Sequence, residues 1–600
     1  MSKELARHFP AAPFVLLESF DPERSRRSFL FQKPRRTIAA WRLCDVRPAL
    51  ESIEAAVGAE GLHAAGFLAY EAAAAFDPAM KTHAPTPSLP LLWFGLFQER
   101  LAVAPGSIGG EGCDGREAVA DPAWTPCLSR QAYDRTIERI HQYEKAGETY
   151  QVNYTFRLRS PWTGNAFAFY RRLCKAQRAG YCAYVDLGDG GKILSASPEL
   201  FFERRGANLT VRPMKGTGSR GRSWQEDERC LRILSESAKE RSENLMIVDL
   251  LRNDLGRIAE PGSVGVSKLF EIERYETLLQ MTSTIHSKLK KSVDLWTLFS
   301  ALFPCGSVTG APKIRTMEII AECEDWPRGI YTGAIGFLSP NDEAVFNVAI
   351  RTLWIDEAAE TVEFGVGGGV TFDSTAEGEY QECLTKARFL TEVRPKFDLL
   401  ETLLLHEGRY RLLERHLNRL GESARYFHYP CDEVEIRAAL EKTRSGLNEG
   451  AYRVRLRVSS SGEIRCEAAR LKEPDSEGEY RVALCPEPID SRDPFLFHKT
   501  THRAVYERSR ALRPDVDDVI LQNERGEITE STIANVAVVS GGVWYTPPVE
   551  CGLLVGTERQ DRLDRGTLQE RVLRPEDIQR AEAVYLFNSV RGAWRVRVVP

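Results

Sequence analysis

Residues 237–256 read SAKERSENLMIVDLLRNDLG and set two glutamates, Glu240 and Glu243, three positions apart just ahead of an apolar run. On a helix this spacing puts both carboxylates on one face. Pairs of this kind are usually solvated helix faces. Here the apolar LMIVDLL that follows predicts a largely buried helix, and a buried carboxylate needs a cation or hydrogen-bond donors. A second pair, Glu379 and Glu382 in GEYQECLTKARFL, repeats the pattern. Two such pairs facing one another would form a hard oxygen site suited to Mg²⁺.

Around these helices the chain reads as mixed α and β. SRQAYDRTIERIHQYEKAGE (129–148) has Tyr133, Ile137, Ile140 and Tyr143 at helical spacing, with Ser129 as its cap. TYQVNYTFRLRS (149–160) alternates as a strand does. Strand-like runs recur at YCAYVDLG, KILSASPELFFERR, NLTVRP, IYTGAIGFLS, EAVFNVAIRTLWID and TVEFGVGGGVTF. Long helices are predicted over 224–255 and 374–394. Together these imply an α+β domain with a sizeable antiparallel sheet. The Gly-rich APGSIGGEGCDG at 104–115 reads as a flexible loop.

Two glycine runs offer backbone donors. PCGSVTGAPKIRTMEII (304–320) is a turn opening a helix at Pro312, where free N–H groups can hold an anion. GVGGG at 365–369 reads as a second donor loop. Neither matches a nucleotide phosphate loop. Arg351, in the strand-like NVAIRTL, stands where a core reading expects an apolar residue, and a buried arginine normally pairs with a carboxylate.

The 600 residues predict two or three domains, and the composition (43% hydrophobic, 28% charged, net charge -5) is that of a soluble globular protein. It asks for no nucleic-acid or membrane partner. The longest apolar stretch, AAGFLAYEAAAAF, is broken by Glu71 and too short to span a bilayer. Thirteen cysteines without a CxxC pair and an N-terminus without a secretory core point to a reduced, cytoplasmic setting. A boundary falls in TEVRPKFD (391–398), dividing the chain into 1–393 and 394–600. Beyond residue 397 only Lys442, Lys472 and Lys499 are lysines.

In order, YQVN, SASPEL, RPMKGT, ENLMIVDLLRNDLGR, GSVTGAPK, YTGAIGF, NVAIRTL and GGGVTFDSTAEGEYQECLTKA resemble the chorismate-utilising enzyme family, over about residues 10–393. Anthranilate, aminodeoxychorismate, isochorismate and salicylate synthases belong to it. The resemblance implies two packed antiparallel sheets wrapped by helices. It also implies Mg²⁺ held between Glu243 and Glu382, with Glu240 and Glu379 as direct or water-bridged partners. Anthranilate synthases carry alanine where this chain has Lys215, a mark of aminodeoxychorismate synthase. Gln151 stands where isochorismate and salicylate synthases carry a water-activating lysine. The family's general acid maps to Glu199, and His286, Thr309, Tyr331, Arg351, Lys386 and the glycines including Gly367 and Gly368 map to the chorismate pocket. No glutaminase stretch is found, so ammonia would come from solution or from a separate glutamine amidotransferase subunit. VLLESF (15–20) resembles the family's tryptophan-binding segment.

The second part resembles class IV pyridoxal-phosphate enzymes through LLERHLNRLGESARYF, FLFHKTTHRAVYERSRA, NERGEITESTIANVAVV and GLLVGTERQ. The resemblance implies Lys499 as the cofactor lysine, Glu530 at the pyridine nitrogen, and Arg419, Gly556 and Thr557 at the phosphate. It also implies a homodimer. The family's DRGFxYGDGVFET lead-in is missing, and the domain opens at FDLLETLLL. Together the halves predict a two-step route from chorismate and ammonia to 4-aminobenzoate for folate. The alternatives are an ammonia-dependent anthranilate synthase fused to a class IV aminotransferase, and a non-catalytic chorismate- or tryptophan-binding regulator.

Overall fold

A computed structural model describes residues 9–21, 27–109, 122–391, 395–471 and 479–600. Residues 110–115 of the Gly-rich stretch, residues 392–394 of the expected boundary and Lys472 lie outside these. The chain divides into two compact units, one of residues 1–219 with 231–394 and one of residues 220–230 with 395–600.

The first unit is built on two ten-stranded sheets with every pairing antiparallel. The strand Ser28–Gln32 shows why they pack face to face. SFLFQ has no polar alternation because both of its faces are covered. Phe29 and Phe31 enter a core between the sheets with Phe67, Trp93, Phe97, Phe337 and Trp354, while Leu30 points to the helices outside. Helices Leu43–Ala59, Ala238–Ile258 and Leu295–Leu302 cover one sheet. Helices Arg130–Lys145, Ala166–Gln177, Lys313–Cys323 and Ala376–Ala387 cover the other.

Several predicted elements divide. KILSASPELFFERR is two strands in different sheets, Gly191–Ser197 and Leu200–Arg205, joined through Pro198 and Glu199. EAVFNVAIRTLWID likewise runs from Glu343–Val348 in one sheet to Thr352–Asp356 in the other. Arg351 is therefore not a strand residue; it sits in the second crossover with a left-handed φ of 51°. The helix predicted over 224–255 is two, Trp224–Glu236 and Ala238–Ile258. The hydroxyl of Ser237 accepts the Glu240 N–H at 3.3 Å and caps the second. The helix predicted over 374–394 is Ala376–Ala387 followed by a short 3₁₀ turn, Arg388–Leu390. GVGGG is not a loop but the end of the strand Thr361–Val370, paired along one edge with Gln151–Pro161.

The second unit holds a four-stranded sheet, including Leu399–His406 and Tyr452–Val458, packed under helix Leu413–Phe427, and a mixed eight-stranded sheet. In the latter Arg481–Leu484 runs parallel to both Asp518–Gln522 and Gly592–Val599. DVILQNERGEIT forms a hairpin of Asp518–Gln522 and Ile528–Ser531. Residues 220–230 join this unit although they precede it by far in sequence. The Tyr426 hydroxyl donates to the Gly221 carbonyl at 2.8 Å, and the Arg222 guanidinium lies 4.7 Å from the Phe497 ring centre.

Phe31 is fully buried between the sheets. Phe31→Ala is expected to lower the stability of the first unit by roughly 3–5 kcal/mol, read from its denaturant unfolding transition.

Candidate active sites

Both crossovers of the first unit end at one cavity of about 170 Å³. Glu199 enters it from the first crossover and Arg351 from the second. Lys215 comes from the strand Met214–Ser219, Glu240 and Glu243 from helix Ala238–Ile258, and Glu379, Glu382 and Lys386 from helix Ala376–Ala387. Tyr331 and Gly367 line it too. Asn153, Lys239, Gln280 and Ser307, which sequence reasoning missed, also line it. Gln280 had a visible signal, being a polar residue on an otherwise apolar strand run, LLQM.

The glycines of the strand Thr361–Val370 make room for side chains. A Cβ on Gly365 would overlap the Tyr331 ring, one on Gly368 would lie 2.5 Å from a Glu379 oxygen, and one on Gly369 would overlap the Gln151 amide and the Lys215 amine. Gln151 is buried and neither end of its amide has a partner among the described residues. It thus lies against Lys215 with its hydrogen-bonding capacity unused.

Two expected residues lie elsewhere. His286 is exposed, hydrogen bonded to Thr210 and Ser267. It shares a strand with Gln280 but sits six residues farther along, about 20 Å at strand rise. Thr309 is fully buried behind the wall, and its hydroxyl bonds the carbonyls of Cys305 and Gly306 at 3.3 Å. The turn instead presents Ser307.

Burial sets the electrostatics. Glu199 is pushed up to about 7 by desolvation, against the pull of the Ser307 hydroxyl, which donates to it at 2.6 Å, and of Lys215. Burial lowers the Lys215 pKa, opposed by Glu243. It also raises Glu240, Glu243 and Glu379. Glu382 is the exception, held down chiefly by Lys386, whose ammonium lies 2.8 Å away and also donates to the Gly367 carbonyl at 2.9 Å. Burial pushes Arg351 down to about 10, and its Nη1 has no partner among the described residues.

The four glutamates fit a divalent cation by chemistry. All are carboxylates facing one cavity, and Glu379 Oε2 is buried without a partner among the described residues. They are not drawn into a ready-made cluster: among the described residues no three acidic, histidine or cysteine groups stand close enough to hold a metal.

In the second unit Lys499 lies in an electrostatic neighbourhood of Arg419, Glu401, Arg503 and Glu530. Burial lowers its pKa to about 8 and raises that of Glu530 to about 7. The Tyr506 hydroxyl donates to Glu530 at 2.7 Å, and the Asn535 amide at 3.3 Å. Gly556 caps the helix Thr557–Asp564, whose first amides lack intrahelical partners. An amine of lowered pKa, a buried carboxyl and a helix N-terminus are groups that fit pyridoxal phosphate.

Arg419 is already engaged. Its Nε and Nη2 donate to Glu401 at 2.9 and 2.7 Å, and Nη1 donates to the Val555 carbonyl at 2.9 Å. It therefore holds the turn before Gly556 through a carboxylate the sequence reading passed over. His416 extends the chain, bonding Glu401 at 2.6 Å and the Thr557 hydroxyl at 3.2 Å. Burial works to raise Glu401, yet Arg419 and His416 outweigh it and hold it at about 2. Lys442 is exposed on its helix.

A separate cavity of about 520 Å³ in the first unit is lined by Leu17, Glu18, Ser19, Tyr181 and Asn347 among others. Glu18 is buried and accepts from Tyr170 at 2.9 Å and Arg171 at 2.6 Å.

Residues 12–392 match the model of the chorismate binding enzyme family, and the chain belongs to that family. Residues 398–599 match the amino-transferase class IV model. Among curated relatives, aminodeoxychorismate synthase component 1 of Bacillus subtilis is 38% identical over 43% of this chain and 55% of its own length. Anthranilate synthase component 1 of Streptomyces coelicolor is 36% identical over 49% and 58%. The chain thus spans little more than half of either relative. Anthranilate synthase component I of Streptococcus pneumoniae superposes with a TM-score of 0.53 at 25% identity, covering 61% of this chain and 92% of that one. No helix among the described residues is long and apolar enough to cross a membrane.

Gly369→Ala is expected to leave the thermal transition nearly unchanged while cutting the chorismate amination proposed below about 100-fold, because the new methyl displaces Lys215 and Gln151. With its pKa lowered to about 8, Lys499 gains its free amine as pH rises through that value. Its labelling by acetic anhydride, followed by mass spectrometry, should reach half of its plateau near pH 8.

Proposed function

We propose that the chain makes 4-aminobenzoate in two consecutive reactions: amination of chorismate to 4-amino-4-deoxychorismate, then elimination of pyruvate. The observation that carries the reading is Lys215, a buried amine in one cavity with a carboxyl that burial keeps protonated. The relatives alone are divided, since synthases of both aminodeoxychorismate and anthranilate match at nearly equal identity.

In the first step neutral Lys215 attacks C2 of chorismate. The ring double bond shifts, and the C4–O bond breaks as Glu199 passes its proton to the departing hydroxyl, which leaves as water. Ammonia then adds at C4 and the C2–N bond to Lys215 breaks, restoring the amine. Arg351, which lines the cavity and whose Nη1 has no partner among the described residues, suits a substrate carboxylate. Mg²⁺, when bound, would be held by Glu243 and Glu382 with Glu240 and Glu379, and supplies positive charge for the ring carboxylate.

In the second unit pyridoxal phosphate, when bound, supplies an electron sink. Lys499 takes the ring proton at C4 while the C3–O bond breaks, and the departing enol gains a proton to become pyruvate. Glu530, a buried carboxyl, would hold a proton on the pyridine nitrogen. The component 1 relatives support a separate glutamine amidotransferase as ammonia source. The cavity beside VLLESF suits tryptophan. A cytoplasmic homodimer joined through residues 394–600 completes the reading.

Purified protein given chorismate, ammonium, Mg²⁺ and pyridoxal phosphate should form 4-aminobenzoate and pyruvate in equal amounts. Lys215→Ala should abolish chorismate consumption. Lys499→Ala should stop at an intermediate that an added lyase converts to 4-aminobenzoate. Anthranilate as product would overturn the reading of Lys215, and no consumption of chorismate would favour a binding protein.

A further inference from the structure

Behind the cavity wall, out of reach of anything bound there, lies Arg328. It is 5% exposed, and all five of its guanidinium donors are used. Nε and one Nη2 hydrogen go to Glu324 at 2.9 and 2.7 Å; the other Nη2 hydrogen goes to the Asn153 carbonyl at 2.6 Å. Nη1 donates to the Val308 carbonyl at 2.8 Å and to the Thr332 hydroxyl at 3.3 Å. Its own backbone N–H and that of Gly329 go to buried Glu71 at 2.6 and 3.0 Å. Glu324 meanwhile accepts the Thr155 amide and hydroxyl at 2.9 and 2.8 Å.

Each segment fastened in this way carries a cavity residue next to the point of attachment. Asn153 itself lines the cavity, Val308 follows Ser307, and Thr332 follows Tyr331. The three segments come from distant parts of the chain: a strand, a short turn and a loop. Of these residues Ser307 matters most, since its hydroxyl donates to Glu199 at 2.6 Å. A charged fork with fixed geometry is well suited to hold three carbonyl- and hydroxyl-bearing segments at set distances, which a lysine's single ammonium is not.

We propose that Arg328, clamped by Glu324, is a positioning residue for chorismate amination: it holds the Ser307 hydroxyl on the Glu199 carboxyl and fixes Asn153 and Tyr331 around the substrate. This rests on the reading of Glu199 as the acid. Glu199 is also faced by Lys215, Lys386, Cys305 and Tyr331, and of these Tyr331 feels the Arg328 charge; the hydrogen-bonded path from Arg328 to Glu199 runs through the Val308 carbonyl and its neighbour Ser307. The Ser307 hydrogen bond favours the ionised carboxylate, so loosening it raises the pH at which Glu199 loses its proton.

The test compares wild type, Arg328→Lys, Ser307→Ala and the double variant in the full chain, using chorismate consumption with ammonium as a function of pH. Thermal unfolding of each variant is followed in parallel. Arg328→Lys is expected to fall at least 10-fold in kcat with KM changed less than 3-fold, and to move the alkaline limb of the profile upward. Ser307→Ala should give the same direction of shift, and the double variant should shift no further than Ser307→Ala alone. Glu324→Gln, which keeps Arg328 but loosens its clamp, should show a smaller shift in the same direction. Wild-type kcat and an unmoved alkaline limb in folded Arg328→Lys would overturn the proposal, as would additive effects in the double variant. If Arg328→Lys proves unfolded, Glu324→Gln decides by the same two criteria. Glu199→Gln separates the two levels: retained turnover there would remove Glu199 as the acid, whereas its loss alongside an unmoved Arg328→Lys would remove only the clamp.

Discussion

The cavity of the first unit depends on two places where the chain leaves one sheet and enters the other. The Val348 amide donates to the Glu199 carbonyl at 3.1 Å, the Ala196 amide to the Arg351 carbonyl at 3.0 Å, and the Ser197 hydroxyl to the Val348 carbonyl at 2.6 Å. The two crossovers are thus tied to one another rather than merely adjacent. A strand that ends in a sheet leaves unsatisfied backbone groups, and here each crossover satisfies the other's. Because the pleat is interrupted at these points, Glu199 and Arg351 escape the in–out alternation and turn toward the gap between the sheets. The left-handed backbone of Arg351 is the local cost of that turn.

The same gap explains the acid–base character of the site. Five carboxyl groups and four basic side chains share a small, poorly solvated space. In such a place a charge survives where a partner is at hand and is otherwise suppressed. Glu382 has Lys386 at 2.8 Å and stays ionised; Glu199 has a hydroxyl for its nearest donor and keeps its proton to about pH 7. Lys215 has no ion pair this close among the described residues, and burial lowers its pKa against the pull of Glu243. An acid raised to about 7 and an amine whose pKa burial lowers therefore arise side by side from unequal pairing, with no special chemistry in either residue.

Much of this was legible in the sequence, though for uneven reasons. The glutamate pairs and the apolar run behind them were readable because helix periodicity fixes which residues share a face. The helix break at Ser237 was readable too, in S-x-x-E, and was passed over because propensity on both sides favours helix. The sheet crossovers were not readable: KILSASPELFFERR and EAVFNVAIRTLWID keep strand-like composition straight through the bend, since both arms are buried on both faces. The glycines of 365–369 look the same in a loop as in a strand into which side chains press. His286 and Gln280 share a strand, and only the extent of the cavity along it separates the one from the other. Glu401, in LLETLLL, was hidden by its apolar surroundings, although a lone carboxylate in such a run is itself the sign of a buried partner.

The second unit reaches a low-pKa lysine by a different balance. Around Lys499 the carboxylate Glu401, held at about 2 by Arg419 and His416, favours the lysine's charged form. Arg419 instead lowers Lys499 further, next after burial among the causes. Removing Glu401 would therefore act twice. It would free the Arg419 guanidinium to repel the Lys499 ammonium, and it would release the Val555 carbonyl and Thr557 hydroxyl that Arg419 and His416 hold at the helix N-terminus. In this unit the placement of the helix amides and the acidity of the lysine are set by one buried carboxylate. A change at Glu401 cannot alter one without the other.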